Sequence, residues 1–414
     1  MVKEVLVDSK PEKTRIAILE DGELAELHIE YPGSTKLAGS IYRGRVDRVL
    51  PGMQCAFVDI GAGKNAYLSA EDIVSAKKHL LGKDNGHVKI EKLVKPGQEI
   101  TVQVVKEETE AKAPKVTANI ALPGSLTVLH PFSPGVGVSK KINDQAERAR
   151  LKNIAAGLCP EGMGIVIRTA AQGADESIIE NDIRCLMKTW EQIRKKEEKG
   201  PVPRCIHQEP CLLQRLAQAG LNSDIRRIVL NDHMEFENLL KYLDETAPRM
   251  KMRVEFFYSN FDLFEFYNVE SAIKEALSRK VWLKCGGYLI FDHTEALTVI
   301  DVNTGKYVGK KDRNETIFKT NCEAAKVIAR QVRLRDISGI ILIDFIDMED
   351  NLQKDTVLSI LREECKKDRN QVTVVGMTNL GLVELTRKKV GNSLDQILTH
   401  PCPNCGGSGR VLNP

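Results

Sequence analysis

The chain has 414 residues, of which 42% are hydrophobic and 28% charged, and its 60 Lys and Arg against 57 Asp and Glu give a formal net charge of +3. A polycation is therefore excluded, and any nucleic-acid binding must rely on positive charge gathered on one groove or face. No apolar run is long enough to span a membrane, and the N-terminus lacks the apolar region of a secretory signal. Ten scattered cysteines suit a reducing compartment, so we expect a cytoplasmic protein.

The N-terminal third of the chain predicts a hairpin followed by a small barrel. Residues 14–31, TRIAILEDGELAELHIEY, alternate around Asp21 and Gly22, and Asp-Gly supplies the positive φ of a hairpin turn. Residues 38–120 give short strands separated by Pro-Gly and Gly-Ala-Gly turns, a pattern typical of a small closed β-barrel. The basic stretch SAKKHLLGKDNGHVKIEKLVK, residues 75–95, predicts a mobile loop between its strands.

Residues 121–212 predict a mixed segment of loop, strand and helix. PFSPGVGVSKKI (131–142) is predicted as a loop and NDQAERARLKNIAAGL (143–158) as a helix. GMGIVIRTAA (162–171) predicts a buried strand that runs into a polar turn. ESIIENDIRCLMKTWEQIRKKEEKG (176–200) has apolar residues at helical spacing and predicts a long amphipathic helix.

Two aspartates follow two apolar, β-branched runs in the last third of the chain. EALTVIDVNTG stops its run at Asp301, GIILIDFIDMED stops its run at Asp344, and residues 315–335 between them have helical period. Strand, helix and strand of this length form a crossover unit, so the strands would run parallel and present both carboxylates at one end of the sheet. Such a pair suits Mg²⁺, although an Asp that ends a strand is also a common helix cap or turn former. Asp347 is a supporting candidate that could instead cap or form a salt bridge.

Several motifs resemble the ribonuclease E/G family, nearer its ribonuclease G branch. They are LTVIDVNTGKYVG, IFKTNCEAAKVIARQVRLRDISGIILIDFIDM, GLVELTRKK and the terminal CPNCGGSGRV. The resemblance implies a Mg²⁺-dependent endoribonuclease that cuts single-stranded RNA and leaves 5′-phosphate ends. It assigns Asp301 and Asp344 as the catalytic, metal-holding carboxylates, with Asn303 as a hydrogen-bonding partner.

The resemblance also implies a multidomain α+β and α/β fold. Its expected parts are a ribonuclease-H-like subdomain (1–36 and 213–276), an inserted OB-fold RNA-binding domain (37–119), a 5′-sensor subdomain (120–212), a deoxyribonuclease-I-like catalytic subdomain (277–398) and a zinc-link (399–414). Family members usually continue into a further small domain, whereas this sequence ends at Pro414 just after the cysteines.

Contacts to RNA are implied at three positions of the barrel. Phe57 and Tyr67 match base-contacting aromatics, and Lys112 matches a position near the RNA path. Aromatic rings on a basic groove hold single strands by stacking that tolerates any sequence. Without the resemblance, both rings could belong to the core: Phe57 lies in an apolar run and could equally be a core residue, whereas Tyr67 is expected to be half-exposed. Lys112 could be an ordinary solvated lysine.

A sensor for the 5′ end of the substrate is implied in the mixed segment. The matching residues are Gly124, Val128, Arg168 and Thr169. The forked donors of Arg and the hydroxyl of Thr suit a terminal monophosphate, although an arginine at the end of a strand is often only a surface salt bridge. A further basic position of the family sensor is Gln371 here, with Arg369 nearby, so the strength of the monophosphate preference is left open.

Cys402 and Cys405 supply half of the four ligands of a structural zinc site. Cys205, His207 and Cys211 could complete the site within one chain. The resemblance implies instead that a second copy of the chain gives the other two thiolates, which makes the zinc a link on the two-fold axis of a homodimer.

Three functions compete on this sequence. The first is an endoribonuclease acting on ribosomal RNA precursors, messenger RNA or both, and stimulated by a 5′-monophosphate. The second is an RNA-binding processing factor with little or no catalysis, and the intact Asp301 and Asp344 pair argues against it. The third, a zinc-dependent hydrolase, is disfavoured because the cysteine pair is far from the aspartates in sequence and thiolates suit structural zinc.

Overall fold

A computed structural model describes residues 2–31, 37–77, 89–106, 113–220, 225–305, 313–400 and 402–403. Its strands, numbered in chain order, are β1 (Lys3–Lys10), β2 (Lys13–Glu20), β3 (Glu23–Glu30), β4 (Ile41–Leu50), β5 (Cys55–Asp59), β6 (Ala66–Ser69), β7 (Glu99–Lys106), β8 (Lys115–Thr117), β9 (Leu122–Pro123), β10 (Thr127–His130), β11 (Gly135–Val138), β12 (Gly164–Ile167), β13 (Arg204–His207), β14 (Ile225–Leu230), β15 (Val254–Phe256), β16 (Lys280–Trp282), β17 (Tyr288–His293), β18 (Leu297–Asn303), β19 (Gly339–Asp344), β20 (Val372–Met377) and β21 (Val383–Arg387).

The α-helices lie between these strands, except for the last one, which follows β21. They are α1 (Ala70–Lys77), α2 (Ile90–Leu93), α3 (Gln145–Leu158), α4 (Glu176–Glu197), α5 (Leu212–Ala219), α6 (His233–Thr246), α7 (Leu263–Phe266), α8 (Val269–Leu277), α9 (Arg313–Leu334), α10 (Asn351–Cys365) and α11 (Leu394–Leu398). Across the described ranges, no helix combines the length and apolar character needed to cross a membrane.

By its internal contacts the chain divides into two compact units. The first comprises residues 1–31, 224–236 and 253–414, and the second comprises residues 32–223 and 237–252. Each unit has its own sheets and hydrophobic core. The finer division into six domains stays a prediction.

One sheet of the first unit contains the predicted N-terminal hairpin. Its strand order is β15-β14-β1-β2-β3, with β1 parallel to β14 and antiparallel to β2. Asp21 and Gly22 have φ values of 49° and 83° and join β2 to β3, where Glu20 pairs with Glu23. The hairpin prediction is confirmed, because Asp-Gly accepts the positive φ that a two-residue turn requires.

The other sheet of the first unit confirms the predicted crossover. Its strand order is β16-β17-β18-β19-β21-β20, and only the pair β18–β19 is parallel. Helix α9 forms the crossover, and it packs with α10. The alternate residues of the strands that face the core are buried with these helices, among them Leu289, Ile300, Ile343 and Leu385. The opposite face of the sheet is more exposed.

The second unit contains the predicted small barrel. Strands β4, β5, β6, β8 and β7 follow one another, and β7 pairs again with β4 to close the barrel. A Cβ atom at Gly44 would lie 2.7 Å from the carbonyl oxygen of Asp59, so this position on β4 requires glycine. Buried apolar side chains such as Val58, Leu68 and Val102 fill the interior.

The mobile-loop prediction for residues 75–95 is wrong in its described parts. Residues 75–77 belong to α1 and residues 90–93 form α2, while residues 78–88 lie outside the described residues. Ile90 is fully buried and Leu93 is 5% exposed, so α2 fastens to the barrel core by two apolar side chains at helical spacing. Lysines surround these two apolar residues in sequence, so the pattern was too short to indicate a helix.

The mixed segment forms a four-stranded sheet in the order β11-β12-β10-β9. The two predicted helices are α3 and α4, and the Asp144 carboxylate caps α3 by accepting from two backbone N–H groups. The predicted loop at 131–142 contains a strand, β11, which pairs in parallel with β12. A Cβ atom at Gly164 on β12 would clash with the carbonyl oxygen of Ser133, so this close approach depends on glycine. Gly135 and Gly137 of β11 follow Pro134, which gives the segment the composition of a loop.

Candidate functional site

The two predicted carboxylates lie side by side on neighbouring parallel strands. Asp301 on β18 and Asp344 on β19 are register partners. Both are exposed, whereas the preceding residues Ile300 and Ile343 are fully buried against the helices. Because successive residues of a strand point to opposite faces, both carboxylates project from the open face of the sheet.

The Asp344 carboxylate lies close to two other negative charges. Partial burial, and then the negative charges of Asp301 and Asp347, raise the pKa of Asp344 above its ordinary value. Each of these causes disfavours the ionised carboxylate. A cation bound between the two carboxylates would remove the repulsion.

Asn303 lies on the same face, two residues after Asp301. Its amide Nδ2 donates a hydrogen bond of 2.7 Å to Oδ2 of Asp301. This bond orients the carboxylate, at a position where the family resemblance implied a hydrogen-bonding partner. Asn303 is in turn paired with Tyr288 on β17.

Asp347 follows β19 in a short segment that is anchored on both sides. Phe345 and Met348 are buried, while Asp347 is exposed between them. The fully buried Asn321 on α9 holds the backbone of Ile346, donating from Nδ2 to its carbonyl at 2.7 Å and accepting from its N–H at 3.1 Å. Sequence reasoning gave Asn321 no role, although a lone amide among the apolar residues of a helix is a signal that could have indicated one.

The donor set suits a hard cation. Among the residues described here, no three His, Cys, Asp or Glu side chains form a cluster that could hold a metal ion. Asp301 and Asp344 thus offer two carboxylates and no nitrogen or sulfur ligand. Mg²⁺ is commonly bound through one or two carboxylates while it keeps several waters, and the pair fits that requirement.

The two predicted aromatics of the barrel form a cross-strand pair. Phe57 on β5 is the register partner of Tyr67 on β6, and their ring centroids are 6.2 Å apart at an interplanar angle of 74°. Both side chains are half-buried, whereas their neighbours Ala56 and Leu68 are fully buried. The alternative in which both rings belong to the core is therefore wrong.

Basic residues extend this pair on both sides. Arg48 on β4 is opposite Phe57, and Lys115 on β8 is opposite Tyr67. Arg48 is exposed, and Nζ of Lys115 lies 3.0 Å from Oδ2 of Asp72. Sequence reasoning missed both, because the register of the strands was needed to align them. The predicted Lys112 lies outside the described residues.

Three of the four predicted sensor residues lie at one end of the mixed segment's sheet. Arg168 donates from Nη1 to the carbonyl oxygen of Gly124 at 2.7 Å, and the hydroxyl of Thr169 is hydrogen-bonded to that of Ser139 at 3.0 Å. The described contact of Arg168 is thus a backbone carbonyl and not the carboxylate of a surface salt bridge. The fourth residue, Val128, is half-buried on β10 opposite Val166.

A buried carboxylate that sequence reasoning missed holds the loop beside Gly124. Asp182 on α4 accepts hydrogen bonds from the N–H groups of Ser125, Leu126 and Thr127 and from the Thr127 hydroxyl, at 2.7 to 3.1 Å. A Cβ atom at Gly124 would lie 2.6 Å from Oδ2 of Asp182, so glycine is needed for this approach. The partners are 55 to 57 residues apart in sequence, and no local pattern indicates them.

The position that the family sensor fills with a further basic residue carries Gln371, whose carbonyl oxygen accepts from the N–H of Lys388. The nearby Arg369 lies 3.8 Å from Oε2 of Glu26. Burial by itself raises the pKa of Glu26, but the hydrogen bond from His28 and the charge of Arg369 lower it to about 2. Arg369 is therefore drawn toward a carboxylate of its own unit.

Of the two cysteines predicted to bind zinc, the structure describes only one. Cys402 is exposed, and Cys405 lies outside the described residues. Cys205, His207 and Cys211 are all described and do not belong to a metal-holding cluster of three. The alternative in which these three residues form the larger part of a zinc site gains no support.

Comparisons with known proteins agree on one family. A model of the ribonuclease E/G family matches residues 121–390. The chain is 42% identical over 411 residues to "Ribonuclease G" of Haemophilus influenzae, covering 99% of this chain and 84% of that protein. It is 41% identical to "Ribonuclease G" of Escherichia coli K12, covering 85% of that protein. "Ribonuclease E" of the same strain is 35% identical over 414 residues, which span only 39% of its length.

Proposed function

The chain belongs to the ribonuclease E/G family, and we propose that it is an endoribonuclease that hydrolyses phosphodiester bonds of single-stranded RNA and leaves 5′-phosphate ends. The names of its relatives support the activity. The observation that carries the site is the register of β18 and β19, which makes Asp301 and Asp344 direct neighbours on an open sheet face.

We assign Asp301 and Asp344 as the residues that hold Mg²⁺. When bound, Mg²⁺ polarises a phosphoryl oxygen and activates water for hydrolysis. Asn303 keeps the Asp301 carboxylate in one orientation through its 2.7 Å hydrogen bond. Asp347 adds negative charge beside Asp344, and Asn321 fixes the backbone that carries it.

We assign the half-buried rings of Phe57 and Tyr67 as the barrel's contact with substrate bases, and Lys112 as a further contact. The exposed Arg48 places positive charge beside Phe57, which supports attraction of the RNA backbone, whereas the charge of Lys115 beside Tyr67 is paired with Asp72. The closed five-stranded barrel is consistent with an OB fold. The ribonuclease-H-like and deoxyribonuclease-I-like subdomains stay proposals from family membership.

We assign Gly124, Val128, Arg168 and Thr169 to recognition of a 5′-monophosphate. The contact between Arg168 and Gly124 and the hydroxyl of Thr169 next to it support the assignment, since a phosphate is bound well by a guanidinium and a hydroxyl. The expected substrates are ribosomal RNA precursors, messenger RNA or both. The proposed location of the protein is the cytoplasm.

The proposed activity is tested by the metal dependence of RNA cleavage. End-labelled single-stranded RNA in Mg²⁺ buffer is expected to give internal cuts with 5′-phosphate products, and excess EDTA is expected to stop cleavage. Addition of Mg²⁺ beyond the chelator should restore it. Undiminished cleavage in EDTA would count against the metal, and binding without any cleavage would favour the alternative of an RNA-binding processing factor.

We propose that Cys402 and Cys405 bind one Zn²⁺ together with the same two residues of a second copy, forming a homodimer. The exposure of Cys402 is compatible with a ligand shared between chains. The expected result is half a zinc per chain by elemental analysis and a dimer by sedimentation. Serine at both positions should abolish zinc and dimer together, whereas the control Cys205→Ser should keep both. One zinc per chain would refute the shared site.

A further inference from the structure

A small cluster of two aromatic rings and a lysine lies on the sheet face that carries the carboxylate pair. On the edge strand β16 and just after it, Val281 and Leu283 are buried in the core, so Trp282 between them points to the opposite face. Its side chain is 56% exposed. An exposed indole next to a candidate active site requires an explanation, because apolar surface of this size is costly to leave in water.

Lys280 and Tyr288 hold the indole in place. Nζ of Lys280 lies 3.9 Å from the centroid of the Trp282 ring and 3.7 Å from that of the Tyr288 ring. The two rings are 5.4 Å apart at an interplanar angle of 66°. The cluster therefore combines a large aromatic surface with a positive charge, and both are arranged before any ligand arrives.

The cluster is in register with the carboxylate site. Trp282 pairs with Tyr288 across β16 and β17, and Tyr288 pairs with Asn303 across β17 and β18. The next row on the same face contains Asp301 and Asp344. With strands about 4.8 Å apart, Trp282 is roughly 10 Å from Asn303 along the hydrogen-bonding direction of the sheet.

The turn after Trp282 is held by hydrogen bonds from its backbone. Glu323 on α9 accepts hydrogen bonds from the N–H groups of Lys284 and Cys285. A Cβ atom at Gly287 would lie 2.7 Å from the carbonyl oxygen of Asn303, so β17 and the end of β18 are in close contact here. These contacts connect the aromatic cluster and the carboxylate site through the backbone.

We propose that Trp282, supported by Lys280 and Tyr288, is a stacking platform for a base of the RNA substrate, a short stretch of chain away from the bond that is cut. The inference deepens the proposed function and rests on it. Single strands are commonly bound by aromatic rings combined with positive charge, and this cluster offers both on the face that carries the carboxylates. Trp282 is thereby a specificity-determining residue: it favours RNA that carries a base at this position, and it does not distinguish one base from another.

The first test is a binding measurement without cleavage. The chain has two tryptophans, and the other, Trp190, is 4% exposed, so a change of emission on RNA binding is expected to come from Trp282. In EDTA, single-stranded RNA should quench the emission of the parent protein. In Trp282→Phe the quench should be absent while the affinity for RNA stays within about twofold. Tight RNA binding without quenching of the parent would overturn the proposal.

The second test compares cleavage of intact RNA with RNAs that lack one base at successive positions. Trp282→Ala is expected to lower kcat/KM for intact RNA about 5- to 100-fold, the range of a lost base–aromatic stack. At one position of the RNA, the one whose base stacks on Trp282, removal of the base should lower the kcat/KM of the parent by a similar factor and leave that of Trp282→Ala unchanged. Trp282→Phe should keep most of the parent's kcat/KM on intact RNA. The matched control is Phe261→Ala, another exposed aromatic, which should cut like the parent.

The outcomes separate the inference from the function it rests on. A parent protein that binds RNA but cuts none would contradict the proposed function, while the emission measurement would still decide the stacking. A Trp282→Ala variant with the parent's rate on every RNA would overturn the platform alone. A change of that variant's mass in sedimentation, with unchanged RNA contacts, would show that the patch joins copies of the chain and would equally overturn the proposal.

Discussion

Replacing Asp344 by Asn is expected to lower kcat for RNA cleavage at least about a thousandfold, because the loss of a metal-holding charge removes several kcal/mol of transition-state stabilisation. Asn keeps the shape of the side chain and cannot supply the negative charge. Asp301→Asn should have an effect of the same size, since we propose that the two carboxylates, which are register partners, hold the same metal ion.

The fold of Asp344→Asn should survive. Burial and the charges of Asp301 and Asp347 disfavour the ionised Asp344, so an uncharged amide relieves repulsion that the metal-free protein carries. Without Mg²⁺ the variant should unfold at the parent's temperature or slightly above it. Added Mg²⁺ should raise the unfolding temperature of the parent and leave that of the variant unchanged, because a ligand stabilises only a protein that binds it.

Asp355→Asn is the matched control for Asp344→Asn. Asp355 is an exposed carboxylate on α10 of the same unit, and its replacement should leave cleavage within about twofold of the parent. A residual rate in Asp344→Asn close to that of Asp355→Asn would remove the carboxylate pair from the mechanism. A variant that has lost cleavage but still gains stability from Mg²⁺ would place the metal elsewhere.

Replacing Arg168 by Ala should abolish the preference for RNA with a 5′-monophosphate. A hydrogen bond to a charged group contributes about 1.5 to 3 kcal/mol, so cleavage of monophosphorylated RNA should slow about 10- to 100-fold. Cleavage of 5′-hydroxyl and 5′-triphosphate RNA should stay at the parent's rate. Loss of the contact to the Gly124 carbonyl is a local change, and the loop keeps its four hydrogen bonds to Asp182.

Arg184→Ala is the corresponding control for the sensor. Arg184 lies exposed on α4 of the same unit and pairs with Glu180, and its removal should change neither rate nor preference. Rates are measured with RNAs that differ only at the 5′ end. If the parent cuts monophosphorylated and triphosphorylated RNA equally fast, or if Arg168→Ala keeps the preference, the sensor assignment is wrong.

Local features of the sequence were sufficient for the elements that frame the site. The turn at Asp21 and Gly22 and the helix capped by Asp144 depend on residues within a few positions of one another, and each strand and helix of the crossover that ends in Asp344 has its own local pattern. Phe57 and Tyr67 were named as candidates by the family resemblance and not by a local pattern. The strand pairing then showed them to be neighbours on the outside of the barrel.

Features that depend on distant partners escaped prediction. Asp182 and Asn321 look like ordinary polar residues of helices, and only the folded chain shows which backbone groups they satisfy. Strand β11 was not predicted because its Gly135 and Gly137 follow Pro134, a composition typical of a loop, and Arg48 could be aligned with Phe57 only through the barrel register. Trp282 stands in a strand of three residues, too short for its alternation to be read.

The pairing of Asp301 with Asp344 makes the candidate site sensitive to a kind of change that leaves its side chains intact. Deleting or inserting one residue inside β19 would turn Asp344 toward the helices, where Ile343 now lies, and would separate the two charges by the thickness of the sheet. The strands themselves could still pair. Across homologous chains, length variation should therefore be tolerated in the loops but eliminated from these two strands, even at positions where the side chain is free to vary.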